Sequence, residues 1–392
     1  MSHQNNERHR SAAKGDIYLS PPTLVTHVTN IVTRWTNKTR PDVLWDPAAA
    51  DGRLLLAFQN QGYMVRNSDL NPMNDRVQRL DFLQQGRRPP GARRLMMVFN
   101  PPFALPGQKN GITVFLNQSN KIMVPGEYAI CIAPITFSNY NVLGRVTETL
   151  HLVEENYIRE NICFFQPDTN KKKQVHLVVQ VWQKRDQPSP THGLHTKLRL
   201  TKEEEAALPF RMAGTHKVAD GTPCFYILRK GTGKDVGMTL TSTEIVGKVW
   251  RKGRKTIDQP LCSVFTNKRV TFDTKQMTSI LAIHVAPEAR NTVFWTFHAL
   301  YTSGVYARYL GHGMYQGVQT MNTSALKFMA LYPDNIPTRD SLNITTNFIG
   351  EGNKIQIDKE NILRQQRFAN MYQTIKKRNT PYKVVRNLEL RS

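Results

Sequence analysis

Five consecutive apolar residues, Leu95-Met96-Met97-Val98-Phe99, run straight into Asn100-Pro101-Pro102-Phe103. A strand made from this run has no polar side to turn to water. It must be covered on both faces, which is the condition of a parallel sheet lined with helices. The two prolines end it, because each fixes φ and neither can donate a ladder hydrogen bond. Apolar runs recur at Val43-Leu44-Trp45 and Tyr128 to Ile135, with helical stretches between them. From about Asp42 to Lys184 this repetition of strand, helix and strand predicts an α/β fold with a doubly wound sheet. A helix is expected after Ser20-Pro21-Pro22, with Leu24, Val25, Val28, Ile31, Val32 and Trp35 on one face. Two further strands, around Ile162 to Phe165 and Val175 to Trp182, flank Pro167-Asp168-Thr169-Asn170 and three lysines. They read as an antiparallel hairpin at the edge of the sheet.

The segment Asp186-Gln-Pro-Ser-Pro-Thr-His-Gly193 is rich in Pro and polar residues and marks a boundary. Three parts are expected: a flexible basic tail over 1–14, a first domain over 15–186, and a second domain over 187–392 ending in a basic tail. In the second domain short strands, Phe225 to Leu228 and Ile280 to Val285, sit among Gly-rich turns. Helices come late, at Ser324 to Leu331 and Lys359 to Lys377. The pattern is mixed α+β.

Lys and Arg number 53 against 30 Asp and Glu, a formal net charge of +23, of which +15 lies beyond residue 186. Such an excess favours a polyanionic partner, because a basic surface gains affinity by releasing counterions from phosphate. The four cysteines, Cys131, Cys163, Cys224 and Cys262, form no C-x-x-C pair, which argues against a zinc ribbon. The polar start of the chain has no apolar core of the secretory kind, and no run of 18 apolar residues occurs. An intracellular protein without a membrane span is expected.

Four segments of the first domain carry chemistry. Asp46-Pro47-Ala48-Ala49-Ala50-Asp51-Gly52 follows an apolar strand; its small residues let backbone approach a ligand, and its acid can receive the ammonium of an amino-acid moiety. Ser68-Asp69-Leu70-Asn71-Pro72 puts an acid at the end of the second strand, suited to ribose hydroxyls. In Leu80-Asp81-Phe82-Leu83 the carboxylate can accept from an adenine amine while Phe82 packs on the ring. Taken singly, Asp69 and Asp81 also read as surface turn residues or helix caps; together they suggest an adenosine-bearing cofactor. At Asn100-Pro101-Pro102-Phe103 a rigid corner can present the Asn100 side-chain oxygen and the Pro101 carbonyl to one amine, with Phe103 as a stacking platform.

This set resembles the gamma class of adenine amino-methyltransferases. There an S/T-P-P segment precedes the cofactor strand. The D/E-P-x-x-x-x-G turn, a ribose acid, a D-F segment, an N-P-P-[YF] corner and a target-recognition domain then follow. Ser20-Pro21-Pro22-Thr23-Leu24-Val25 is similar to the leading segment, and the resemblance covers residues 15–185. It implies a Rossmann-like class I methyltransferase sheet and S-adenosyl-L-methionine as cofactor. Ser20, Thr23, Asp46, Ala48 and Gly52 would surround its methionine end, Asp69 its ribose, and Asp81 and Phe82 its adenine. Asn100, Pro101, Pro102 and Phe103 would hold the target base, flipped or already unpaired. Phe103 stands where Tyr is commoner, and Asp51 and Arg53 put charges where small or neutral residues are more usual.

The reading is thus methyl transfer to the N6 amine of adenine, with DNA favoured over RNA as the polymer. The other alternative is a catalytically silent methyltransferase-like subunit that binds nucleic acid. In the second domain Arg229, Lys230 and Lys234, on a Gly-rich turn, and Lys248, Arg251, Lys252, Arg254 and Lys255, around Trp250, are candidate phosphate contacts; a solvated loop is the bland alternative for each. His192 and His195 form H-x-x-H in a Pro-rich stretch with no third ligand evident, so no metal is expected.

Overall fold

A computed structural model describes residues 19–103, 105, 110–160, 162–166, 171–214, 224–228, 230–231, 240–241, 280–285, 305–311, 319–320 and 323–351, together with positions 289, 293, 296, 297 and 300. Strand β4, Leu95–Phe99, is buried at all five positions. Its neighbours are β1, Val43–Asp46, on one side and β5, Tyr128–Pro134, on the other, both parallel to it. β2, Met64–Asp69, pairs with the far side of β1, and a short β3, Gln78–Arg79, lies beyond it. Past β5 the sheet continues with β9, Leu177–Lys184, then β6, Leu150–Ile158, then β16, Thr345–Ile349. The order is β16-β6-β9-β5-β4-β1-β2-β3, and β9 alone runs against the others.

Helix α1, Pro22–Thr39, starts with Pro at its first position, where a missing N–H costs nothing. It buries Leu24, Val28, Ile31, Val32 and Trp35 against Leu44, Met96, Val98, Ile130, Ile132, Val179 and Val181 of four neighbouring strands. Val25, expected on the same face, is only half-buried. The opposite face is aromatic. Past a short α2, Leu56–Asn60, Trp45 of β1 meets Phe82 of α3, Phe82–Gln85, edge-on at 5.5 Å, and Phe82 and Phe99 both pack on Phe115 of α4, Gly111–Ile122. Each large side chain so enclosed contributes roughly 1.5–3 kcal/mol.

Several expectations change. The run Val175 to Trp182 is two strands, broken at His176. The three lysines lie within β8, Lys171–Val175, which pairs with β7, Ile162–Gln166, as a separate two-stranded sheet. β9 is interior and not an edge, because Leu177 to Trp182, apolar except for Gln180, needs cover that only a central position supplies. The Pro-rich boundary is packed: Ser189 and Thr191 are buried, and His192 Nδ1 and His195 Nδ1 bond the carbonyls of Val146 and Gly144 at 3.0 and 2.8 Å. The first compact unit therefore runs to His195, and it regains Arg339–Gly352.

That return is held by a buried ion pair. Arg339 Nε donates to Glu155 Oε2 at 2.8 Å, and its Nη2 donates to the Ser138 carbonyl at 2.5 Å. Tyr157 and Gln180 also donate to Glu155. Burial opposes the Arg339 charge, but Glu155, Tyr157 and Tyr140 raise its pKa overall.

In the second unit, Thr196–Thr338 with Asn353–Ser392, the strands β10, Phe210–Gly214, β14, Ile280–Val285, β11, Cys224–Leu228, and β13, Leu240–Thr241, form an antiparallel sheet in that spatial order, and β12, Lys230–Gly231, pairs with β15, Gln319–Thr320. Helix Lys202–Ala206 opens on a Thr201/Glu204 capping box and is joined to helix Thr323–Leu331 by the Lys327–Glu205 ion pair. The predicted helix from Lys359 to Lys377 lies outside the described residues. No helix among the described residues is long and apolar enough to cross a membrane.

Arg339→Ala leaves Glu155, which is wholly buried, without its cation. Urea unfolding should show a loss of about 3–5 kcal/mol; a loss under about 1 kcal/mol, as for a surface pair, would contradict this account of how the returning segment is held.

Candidate functional site

The chain passes from β1 outward to β2 and β3, then returns to lay β4 on the other side of β1. This is a topological switch point, and ligands of open α/β sheets bind in the crevice beyond the strand carboxyl ends there. Asp46 closes β1, Asp69 closes β2, and Asn100 follows β4 directly. The structure thus brings these three predicted residues to one edge.

The turn after β1 is held from within. Asp46 Oδ1 accepts from Ala48 N at 3.0 Å. Ala50 and Gly52 both take left-handed backbone, with φ of 49° and 81°; for the alanine this costs about 1 kcal/mol. A side chain at Gly52 would also press on Asn67 at 3.1 Å. Asp69 offsets the strain: its Oδ2 accepts from Ala50 N at 2.9 Å and its Oδ1 from Asn71 N at 2.8 Å. One carboxylate therefore brackets the turns after both β1 and β2.

Asp81 is the N-cap of α3, accepting from Leu83 N and Gln84 N at 3.0 and 3.2 Å. Phe82 is a core side chain, 3% exposed and packed on Trp45 and Phe115. Its ring serves the sheet, where an apolar side chain at the start of a short helix is buried most easily. Thr23 is exposed on the first turn of α1.

Asp51 and Arg53, the unusual charges of the turn, satisfy one another. Arg53 Nε and Nη2 meet Asp51 Oδ2 at 2.7 and 2.5 Å, and Nη1 donates to the Ser20 carbonyl at 3.2 Å. Ser20 Oγ in turn accepts from Asn100 Nδ2 at 3.1 Å. The other end of that amide, Asn100 Oδ1, is buried and has no partner among the described residues. Pro101 is buried and Phe103 half-buried, its ring 6.4 Å from that of Phe164 and edge-on to it. Gly111 closes the corner: its N–H bonds the Phe103 carbonyl at 3.2 Å, and a Cβ there would fall 2.2 Å from the Pro102 oxygen. Sequence reasoning missed Gly111, and it treated Arg53 as a departure; the opposite charge two residues away was the available signal.

Asp46 is 1% exposed. Burial pushes its pKa well above the carboxylate range; the Ala48 N–H opposes this, and the charges of Asp69 and Asp51 reinforce it. The edge is therefore short of positive charge at Asp46, and a cationic group arriving there would favour the ionised form.

Of the proposed phosphate contacts, Arg229, Lys234, Lys248, Arg251, Lys252, Arg254 and Lys255 lie outside the described residues. Lys230 lies in β12, Lys230–Gly231, opposite Thr320.

No family model matches the chain, and no curated protein matches it in sequence. Several solved structures align with part of it. A candidate class I S-adenosylmethionine-dependent methyltransferase of Listeria monocytogenes is 14% identical over 43% of this chain, with a TM-score of 0.32; the match spans 61% of that protein's length. A candidate RNA methyltransferase of Pyrococcus horikoshii is 14% identical over 44% of this chain and 89% of its own, with a TM-score of 0.34. TrmN of Thermus thermophilus is 16% identical over 42% of this chain and 48% of its own, with a TM-score of 0.28. By its own strand order and single reversed strand, the first unit is an α/β fold with a doubly wound, mostly parallel, Rossmann-like sheet.

A carboxyl whose pKa is raised on folding stabilises the fold when protonated. That contribution is present at low pH and is lost as pH rises from the unfolded pKa through the raised folded one. Asp46→Asn keeps an acceptor for Ala48 N and removes the buried charge. At neutral pH it should raise stability by about 1 kcal/mol, and the gain should shrink on acidification. A thermal scan at several pH values checks both signs; a destabilised variant at neutral pH would contradict the assignment.

Proposed function

We propose that the chain is an S-adenosylmethionine-dependent methyltransferase that methylates the exocyclic N6 amine of adenine in nucleic acid, with DNA as the favoured polymer. The observation that carries this reading is Asn100: an amide fixed at its nitrogen end by Ser20, with a buried and unpartnered oxygen, at the carboxyl end of a strand beside the switch point. An unpaired buried acceptor is costly unless a ligand satisfies it.

The cofactor supplies an electrophilic methyl group on a cationic sulfonium. For its methionine end the available groups are Asp46, whose desolvated carboxylate suits an ammonium, the turn from Ala48 to Gly52, and Ser20, which Arg53 ties to that turn; Thr23 is kept on the resemblance alone. Asp69 keeps acceptor capacity for ribose beyond its two backbone bonds. Asp81 is the adenine contact retained; Phe82 supports it from the core.

An adenine amine is a weak nucleophile because its lone pair is delocalised into the ring. Asn100 Oδ1 and the Pro101 carbonyl can accept its two N–H groups and hold the nitrogen with its lone pair available. Phe103 can stack on the extruded base. The protein's contribution is position and stabilisation of the positive charge that develops on nitrogen before a proton leaves it. The net charge of +23 supports a polyanionic substrate, and the excess beyond residue 186 supports a target-recognition role for the second unit.

Labelled methyl transfer to duplex DNA, single-stranded DNA and RNA, followed by nucleoside analysis, tests the reading. N6-methyladenine in DNA is expected. Label confined to RNA would move the substrate, and no transfer to any of them would leave the silent-subunit reading in its place. Asn100→Ala should lower kcat by about 100-fold or more and leave cofactor binding by calorimetry unchanged. Phe103→Tyr should be tolerated where Phe103→Ala is not, and Asp46→Asn should weaken cofactor binding despite its added stability.

Neutralising Lys252, Arg254 and Lys255 together should reduce the salt slope of nucleic-acid binding by about 2–3 without touching cofactor affinity. A wild-type slope would shift attention to Lys171, Lys172 and Lys173 of β8.

A further inference from the structure

The side chain of Asn100 has a soft terminal torsion. A rotation about an sp³–sp² bond has broad, roughly two-fold wells, so its oxygen keeps one direction only if something grips the nitrogen end. Ser20 Oγ does that at 3.1 Å. Ser20 is itself gripped, through its carbonyl, by Arg53 Nη1 at 3.2 Å, and the opposite edge of the same guanidinium is locked on Asp51 Oδ2. Asp51 is anchored in turn, its carbonyl accepting from Asn74 Nδ2 at 2.9 Å. Four segments distant in sequence are thus joined in one line, from the turn after β2, through the turn after β1 and the segment before α1, to the corner after β4.

We infer that Arg53 is a positioning residue: acting through Ser20, it sets the direction of the Asn100 oxygen and so couples the cofactor turn to the acceptor for the target amine. The inference rests on the functional reading above. It gives the Asp51–Arg53 pair a use that charge alone does not suggest. The pair is self-neutralising within the turn, so its value lies in geometry. Only a planar fork can hold a carboxylate on one edge and a carbonyl with the remaining nitrogen; a lysine ammonium keeps the charge but not the two fixed directions.

Two measurements on the full-length protein test this. In a nitrogen-labelled sample, the Asn100 side-chain amide resonances, assigned by their loss in Asn100→Ala, should shift in Arg53→Lys and in Ser20→Ala. In steady-state methyl transfer, Arg53→Lys should lower kcat about tenfold while its cofactor Kd stays within about twofold. The double variant Arg53→Lys/Ser20→Ala should be no slower than Ser20→Ala alone, because both act through one hydroxyl. Resonances that stay in place in Arg53→Lys overturn the linkage. Shifted resonances with unchanged kcat, or losses that simply multiply in the double variant, overturn the role. A wild-type protein that transfers no methyl group to DNA or RNA removes the functional reading; the resonance measurement then still accepts or rejects the Arg53–Ser20–Asn100 line by itself.

Discussion

Strands β1 and β4 have no side that faces water: Val43 to Asp46 and Leu95 to Phe99 are buried without a break. Everything near the site follows from covering them. α1 covers one face with its row from Leu24 to Trp35, and Phe82 and Phe115, packed on Trp45 and Phe99, cover the other. Because β1 and β4 are adjacent and parallel, with Trp45 opposite Met97, their ends emerge level with one another. The turn with Asp46 and the corner with Asn100 are therefore neighbours by construction, although they are far apart in the chain.

Hydrogen bonds then refine what packing has placed. Trp45 Nε1 donates to Ser68 Oγ at 2.9 Å and ties the end of β1 to the end of β2. Asp69 reaches back across that boundary to Ala50. Arg53 reaches in the other direction, to Ser20, and Ser20 to Asn100. The edge is braced by single side chains that each serve two segments, so substituting one of them moves more than its own contact.

The parts of this arrangement legible in sequence were those with an unmistakable local signature. An all-apolar run stopped by two prolines can hardly be anything but a covered strand and its end, and Ser20-Pro21-Pro22 opens α1 as expected. What was not legible depends on partners far away. β16 is polar enough, Thr345-Thr346-Asn347-Phe348-Ile349, to pass for loop until β6 supplies its ladder and Arg339 finds Glu155. β8 contains three lysines, and only its register against β7 makes it a strand. Phe82 follows an acid in a segment suggestive of a binding site, yet Trp45 and Phe115 offer it an apolar pocket, and burial there wins. Asp81 reads equally as a ligand group and as a helix cap; the structure shows the cap, which leaves the other role to experiment.

Several strained and unsatisfied groups of the first unit lie at this edge, while others, Thr113, Gln180 and Trp182 among them, lie elsewhere in it. Asp46 carries a carboxyl whose charge is opposed by burial, Ala50 sits in left-handed backbone, and Asn100 and Asn67 each hold a buried oxygen without a partner among the described residues. Each would be cheaper replaced: Asn for the acid, Gly at position 50, an apolar residue for either amide. Two buried acids away from this edge are answered by the protein itself. Buried Glu127 takes a bidentate pair of bonds from Arg88 and two backbone N–H groups, and Glu155 has Arg339, Tyr157 and Gln180. The contrast is between acids answered from within the protein and groups at the switch point left open. A cation at Asp46 and N–H donors at Asn100 are what would answer them. On the function proposed above, the amino-acid end of the cofactor would supply the first and the target base amine the second.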